Sequence, residues 1–305
     1  RRFLYTFFRT IWDGDSSVVE VGPFFGGTTR AIAQGMEDSP RRRGDSKLYT
    51  YDLFEEYYDS DKTKSLLTPL VDTGTISSAQ LADLLTSEKV NFKNIFQSIH
   101  ENESYFGHVI PSSAGLPDLP RDAQETRFDL SEIGKVGVFF VDGCKSWFAT
   151  KFFFKESFKV AIPGTYYIFQ DYGRFTCFWI SFAVETMAEY FRYVGKVDST
   201  RLYQLIKIPD LDWWDKEFPD RSSEVCNKKV DKIYSNISKR FNKDYRGRFI
   251  VSIQHAAMLA HQGDVKEAKE MLEDLNRKAF TEFEKRRLKE ALVSPTYNTE
   301  GPVFL

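Results

Sequence analysis

Cysteine is scarce in this chain, three in 305 residues, and the positions, 144, 177 and 226, form neither a metal-ligand spacing nor an even disulfide set. That removes the disulfide-stapled secreted scaffold and points to a reducing, cytoplasmic setting. Histidine is nearly as rare. His100 and His108 match no metal or triad spacing, and His255 and His261, six apart, do not share a helical face. Long apolar runs are missing too: none approaches the roughly 18–20 residues of a membrane span. Nor does charge of one sign dominate, since 42 Lys and Arg against 44 Asp and Glu give a net charge of −2, which signals no nucleic-acid partner. The basic run Arg41–Arg43 sits between Pro40 and Gly44 and reads as a solvated loop. The chain opens on Arg1 rather than methionine, so an N-terminal targeting segment would be out of view.

What remains is a globular composition, 42 % hydrophobic and 16 % aromatic, long enough for one large domain or a domain with an extension. Its organising stretch is Ser17 to Met36, SVVEVGPFFGGTTRAIAQGM. Apolar residues surround one acid, Glu20; three glycines follow within six residues, Gly22, Gly26 and Gly27; and Thr28 opens a segment of good helix formers. This predicts a buried strand, a glycine turn and a helix N-terminus, where the backbone can approach a ligand and unpaired N–H groups face it. GPFFGGTT has the spacing of a phosphate-binding loop, but Thr28 stands where the lysine must be. The dinucleotide fingerprint fails because Phe24 occupies its second glycine. A third pattern, E-x-G-x-x-x-G, is present as Glu20, Gly22 and Gly26. The turn alone leaves a ligand site and an ordinary βα turn both open.

Along the chain, Phe3, Leu4, Phe7, Phe8 and Ile11 fall at helical spacing and predict an amphipathic, core-packing helix. Lys47 to Tyr51 reads as a second strand ending at Asp52, an acid placed to accept both hydroxyl hydrogens of a ribose; a cap on the next turn is the alternative. Residues 76–106 read as mainly helical, 108–110 as a weak third strand, and 111–126, with three prolines, as a mobile loop over the site. VGVFFVDG predicts a fully buried strand ending at Asp142, SWFATKFFFKESFKVA a helix that Pro163 and Gly164 end, and TYYIFQD a buried strand ending at Asp171. Strands alternating with helices predict an α/β, Rossmann-like doubly wound sheet whose strand carboxyl ends bind the ligand. Asp52, Asp142 and Asp171 all stand at such ends. Phe175 to Tyr193 reads as an aromatic helix, and VGKVDST and LYQLIKI as a closing antiparallel hairpin.

Together EVGPFFGGTT, TYD, FFVDGCKSW and YIFQDYG resemble class I S-adenosylmethionine (SAM) methyltransferases, in particular the macrocin/TylF-type sugar O-methyltransferases, over residues 15–208. The resemblance implies SAM over the glycine turn, with Glu20, Gly22, Gly26, Gly27 and Thr28 around its methionine part and Asp52 at its ribose. It also implies a divalent ion, magnesium, at Asp142, Gln170 and Asp171. Gln170 departs from the family's Asp-Asp pair and would hold a metal more weakly. Lys145, three residues after Asp142, matches an Asp-x-x-Lys arrangement in which the lysine is the base; the alternative is a salt bridge. Tyr172, Phe175, Trp147 and Trp179 could wall an acceptor pocket or belong to the core.

Pro209 to Asp220 reads as a linker and residues 222–292 as almost continuous helix. Ala256 to Leu272 resembles one tetratricopeptide-type helix pair, with Gly263 and Asp264 as the turn. The expected division is therefore a SAM-dependent methyltransferase domain, 1–208, and a helical extension, 209–305. The extension is expected to pack on the methyltransferase domain, to shape the acceptor site or to make a homo-oligomeric contact, and the chain to stand alone or as a module of a larger glycan-biosynthesis protein. The expected reaction is methyl transfer to a hydroxyl of a sugar, glycan or other small acceptor. Its rivals are a catalytically inactive protein of the same fold working through its helical C-terminus, and a nucleotide hydrolase.

Overall fold

Ser17-Val-Val-Glu-Val and Val136-Gly-Val-Phe-Phe-Val combine β-branched and aromatic residues with nothing that demands water except Glu20, and both form buried strands, β1 (Ser17–Val21) and β4 (Val136–Val141). The computed structural model describes residues 1–55, 60–86, 91–241, 243–279 and 281–292. Among these the strand order is β3-β2-β1-β4-β5-β7-β6, a mixed seven-stranded α/β sheet. The chain divides into two compact units, residues 1–115 with 133–143, and residues 116–132 with 144–305.

In the first unit, β1 pairs in parallel with β2 (Leu48–Asp52) and β4, and β2 with β3 (Val109–Ser113). The third strand is thus real and longer than the sequence suggests: Asp52 lies opposite Ser113, so the loop expected from 111 begins three residues later. Helix α1 (Arg2–Thr10) buries Leu4, Phe7 and Phe8, the core-packing outcome expected of its pattern. It packs on α2 (Gly27–Glu37) at Gly35, where a Cβ would lie 2.6 Å from the Tyr5 carbonyl oxygen. Helix α3 (Ser60–Asp72) precedes the 76–106 stretch, whose described residues form α4 (Ser78–Thr86) and α5 (Lys93–His100), mainly helical as expected; residues 87–90 of that stretch lie outside the described residues.

The second unit holds α6 (Trp147–Val160), β5 (Ala161–Phe169), α7 (Phe178–Thr186), β6 (Phe191–Val197), β7 (Thr200–Leu205) and α8 (Leu211–Glu217). Ser146 caps α6, its Oγ accepting from the Ala149 amide. Pro163 and Gly164 do not end that helix; they lie inside β5, on its solvent-facing stretch, where a missing N–H costs little. The closing hairpin is present: β7 runs antiparallel to both β5 and β6, turning at Asp198 and Ser199. The aromatic helix stops at Thr186, however, and Phe191 and Tyr193 belong to β6, because a turn at 188–190 changes the period from helical to alternating. Among its described residues the run 222–292 holds four α-helices, α9 (Asn227–Arg240), α10 (Tyr245–His261), α11 (Val265–Arg277) and α12 (Glu282–Leu292). Gly263, at φ 100°, makes the α10–α11 turn as expected. The division anticipated at 208/209 falls inside this second unit. No helix among the described residues is long and apolar enough to cross a membrane.

Candidate cofactor and active site

The turn between β1 and α2 has three left-handed residues in five: Gly22 (φ 82°), Phe24 (φ 52°) and Gly26 (φ 79°). Glycine is needed at Gly22 for a second reason, since a Cβ there would stand 3.0 Å from the Asp142 carbonyl carbon. At Gly26 a Cβ would meet the His100 ring at 1.8 Å. Phe24 has no such freedom and sits in αL at a cost, so its surroundings must impose the conformation. They do so through Asp52, whose Oδ2 accepts the Phe24 amide at 3.0 Å and whose Oδ1 accepts the Phe54 amide at 2.8 Å. Phe54 is itself left-handed, at φ 54°. One buried carboxylate therefore ties the ends of β1 and β2 together.

Glu20 is completely buried at the end of β1, with Oε1 on the Thr28 hydroxyl and Oε2 on the Thr29 hydroxyl, both at 2.6 Å. Burial raises its pKa to about 7 against the lowering effect of the two threonines, and the nearby Asp142 and Asp52 add to the rise. The acid thus draws the first turn of α2 onto the strand. The N-cap of α2 is Gly26, which supplies no side-chain acceptor, so the helix presents its first amides to whatever lies before it. Gly27, next to it, lies against the Arg1 guanidinium. Glu20, Gly22, Gly26, Gly27, Thr28 and Asp52 therefore meet in one place.

Asp142 follows β4 in this same unit, its amide bonded to the Val21 carbonyl at 2.8 Å. Lys145, Gln170 and Asp171 belong to the second unit. There Asp171, 4 % exposed, receives the Lys145 ammonium on Oδ2 and the Arg174 guanidinium on Oδ1, the latter at 3.0 Å. Lys145 thus makes a salt bridge, with the acid at the end of β5 as partner. The Ser199 hydroxyl donates to the Gln170 carbonyl at 3.2 Å. Among the described residues no group of three or more His, Cys, Asp or Glu is arranged to hold a metal. A divalent ion at Asp171 would have to displace two cations, so this donor set does not fit magnesium.

Trp147, Trp179, Tyr172 and Phe175 are all buried. Trp147 stacks on Phe218 at 4.0 Å and donates to the Pro219 carbonyl, and Trp179 donates to the Cys144 carbonyl at 2.8 Å, which is core packing. The sequence gives no sign of a role here for Phe54, Arg30 or Tyr105, marks Phe24 only as the residue that breaks a dinucleotide fingerprint, and sets His100 aside for want of a metal or triad spacing. The two phenylalanines carry no sign of a left-handed backbone, and His100 reaches the turn from 74 positions after Gly26, a spacing that belongs to no motif.

No protein-family model matches the chain, and no curated protein matches it. Among solved structures it is similar to the O-methyltransferase NovP, with 15 % identity and a TM-score of 0.41 over 68 % of this chain and 80 % of that one. It is also similar to the O-methyltransferase from Bacillus cereus in complex with SAH, with 15 % identity and a TM-score of 0.37 over the same shares. Likeness at this level bears on neither activity nor ligand.

Proposed function

We propose that the chain is a SAM-dependent O-methyltransferase acting on a hydroxyl of a sugar, glycan or other small acceptor. One observation carries the reading: a left-handed glycine turn, clamped by the Asp52 carboxylate, opens onto a helix N-terminus without a side-chain cap. Gly22 and Gly26 give the turn its left-handed backbone and let the Asp142 backbone and the His100 ring close against it, which shapes the chain in front of the helix N-terminus. The amides of the first turn of α2 suit a carboxylate such as that of the methionine part. Asp52, an acid at the end of β2, suits a ribose, whose hydroxyls a carboxylate accepts.

SAM, when bound, supplies an electrophilic methyl group on a sulfonium. The protein's tasks are then to align the acceptor hydroxyl, exclude water and take one proton. Lys145 is the residue we assign to that proton. Held on Asp171 it is an ammonium and cannot accept one, so the assignment requires it to leave Asp171 or to lose its proton when the acceptor arrives. No step runs through a metal. The same ion pair favours a second reading, a non-catalytic protein of this fold that acts through its helical C-terminal part. The phosphate-loop reading loses further ground, since the hydroxyl of Thr29, the position that such a loop turns to its metal, is committed to Glu20.

The test is calorimetric titration of SAM and S-adenosylhomocysteine (SAH) into the wild type and Asp52→Asn. Micromolar binding is expected, weakened roughly tenfold in the variant, as for loss of one charge-assisted hydrogen bond. Absence of binding by the wild type overturns the proposal. Binding without methylation of any hydroxyl acceptor, scored by mass, leaves the non-catalytic reading.

A further inference from the structure

The strained turn is held at a second point besides Asp52. Imidazole Nε2 of His100 lies 3.2 Å from the Phe25 carbonyl oxygen, and Nδ1 lies 2.8 Å from the Tyr105 hydroxyl. A carbonyl only accepts, so Nε2 carries the proton of the neutral ring and Nδ1 must accept from Tyr105. The Tyr105 oxygen, having donated its hydrogen, accepts from Arg30 Nε at 3.2 Å. Arg30 stands in the first turn of α2 and is steadied by Glu103. The bonds therefore run one way, from Arg30 through Tyr105 and His100 to Phe25, and the chain returns to the turn-and-helix unit from which it began.

Burial makes this arrangement specific. His100 is 1 % exposed and Tyr105 fully buried, so water cannot substitute for a lost partner. Burial also pushes the His100 pKa down to about 4; the Phe25 carbonyl opposes the shift and Arg30 adds to it. Arg30 is the charged group acting on the ring, while Glu103 and Glu37 act on Tyr105 next to it, and the ring stays neutral near pH 7 and keeps one proton, for Phe25. Gly26 is the complement: its missing side chain is what lets Nε2 reach the carbonyl.

We propose that His100 is a positioning residue, which through the one-way chain from Arg30 and Tyr105 holds the Phe25 carbonyl and so keeps the glycine turn in the conformation that receives the cofactor. This rests on the reading of that turn as the SAM site. Asp52 grips the amide of the left-handed Phe24 and His100 grips the carbonyl of the next residue, so the strained step of the turn is anchored at both of its ends.

SAH is titrated into the full chain as wild type, His100→Leu, His100→Gln and Tyr105→Phe, with melting curves for each and nitrogen NMR of the imidazole. A glutamine amide can donate to Phe25 and accept from Tyr105, whereas leucine keeps only bulk. The expected result is roughly tenfold weaker binding for His100→Leu, recovery to within about threefold for His100→Gln, and an intermediate loss for Tyr105→Phe. The wild-type ring should show the neutral form protonated on Nε2. If His100→Leu fails to fold, Tyr105→Phe and the ring spectrum carry the test. Equal binding by wild type and Tyr105→Phe, or His100→Gln as weak as a folded His100→Leu, or a ring protonated on Nδ1 overturns the inference while the cofactor reading stands. A wild type that binds no SAH removes the cofactor reading, and this inference with it.

Discussion

Glu20 has lost all contact with solvent and kept two hydroxyl partners, and the balance leaves it titrating near 7 rather than 4.5. The consequence for stability has a definite sign. Between those two values the folded chain holds a proton that the unfolded chain has released, so stability falls as pH rises through this window. Below about 4.5 the contribution is fully present, and above about 7 it is lost, a difference of about 3 kcal/mol. Urea unfolding at pH 4.5, 6 and 7.5 should show this decline in the wild type and a flatter profile in Glu20→Gln. Parallel profiles would mean that Glu20 is ionised throughout. Gly26→Ala is the companion case: a left-handed φ and a Cβ pressed against His100 should destabilise the fold by about 2 kcal/mol or more. The residues that meet at this turn, Glu20, Gly22, Gly26 and Asp52, could be picked out from the sequence because glycines and strand-end acids announce themselves. His100 could not, since its role depends on a carbonyl brought to it by the fold.

At the level of elements, the strands that are buried throughout, β1 and β4, are the ones most legible in the chain, because a run of Val and Phe has few other uses. Boundaries were less legible where two periods overlap. Phe191 and Tyr193 extend the aromatic texture of α7, yet they alternate along β6, and only pairing with β7 decides between the two. Similarly, Lys- and Glu-rich sequence hides the breaks between α9, α10, α11 and α12, apart from the glycine at 263. The start of α10 shows what such a break contains. Asp244 Oδ1 accepts the Gly247 amide at 3.1 Å, while Oδ2 meets the Lys196 ammonium of β6 and lies 3.7 Å from the buried Arg201 of β7. One carboxylate caps a helix and compensates a cation on the hairpin. Asp244→Ala should therefore cost about 2 kcal/mol in urea unfolding, the cap and the stranded Arg201 together. Asp244→Asn should recover about half, because it keeps the cap. Equal losses in the two variants would show that the cap contributes nothing.

At the scale of the whole chain, the question is whether the helical C-terminal part is a separate module. The side chain of Gln254, in α10, is 1 % exposed, donates to the Tyr172 and Arg174 carbonyls at 2.8 Å each, and accepts from the Ser181 hydroxyl at 3.0 Å. Tyr234 of α9 donates to the Phe178 carbonyl, and Arg240 holds Glu185 through two nitrogens at 3.1 Å. Phe178, Trp179 and Phe182 of α7 are fully buried, with His261, Phe218 and Tyr234 as ring neighbours. Those neighbours all lie beyond residue 208. Removing them would strip three large aromatic side chains of cover and take the Gln254 amide from the Tyr172 carbonyl, each a cost of the order of 1–3 kcal/mol against a total stability of only about 5–15. A chain cut after Ile208 should therefore bind a hydrophobic dye and show no cooperative calorimetric melt, whereas the full chain should melt cooperatively. A sharp melt from the cut chain would mean that residues 1–208 carry their own core and that the helices are an appendage. The expected failure means that the helical part completes the packing of α7 and of the segment after β5, which holds Asp171 and Arg174.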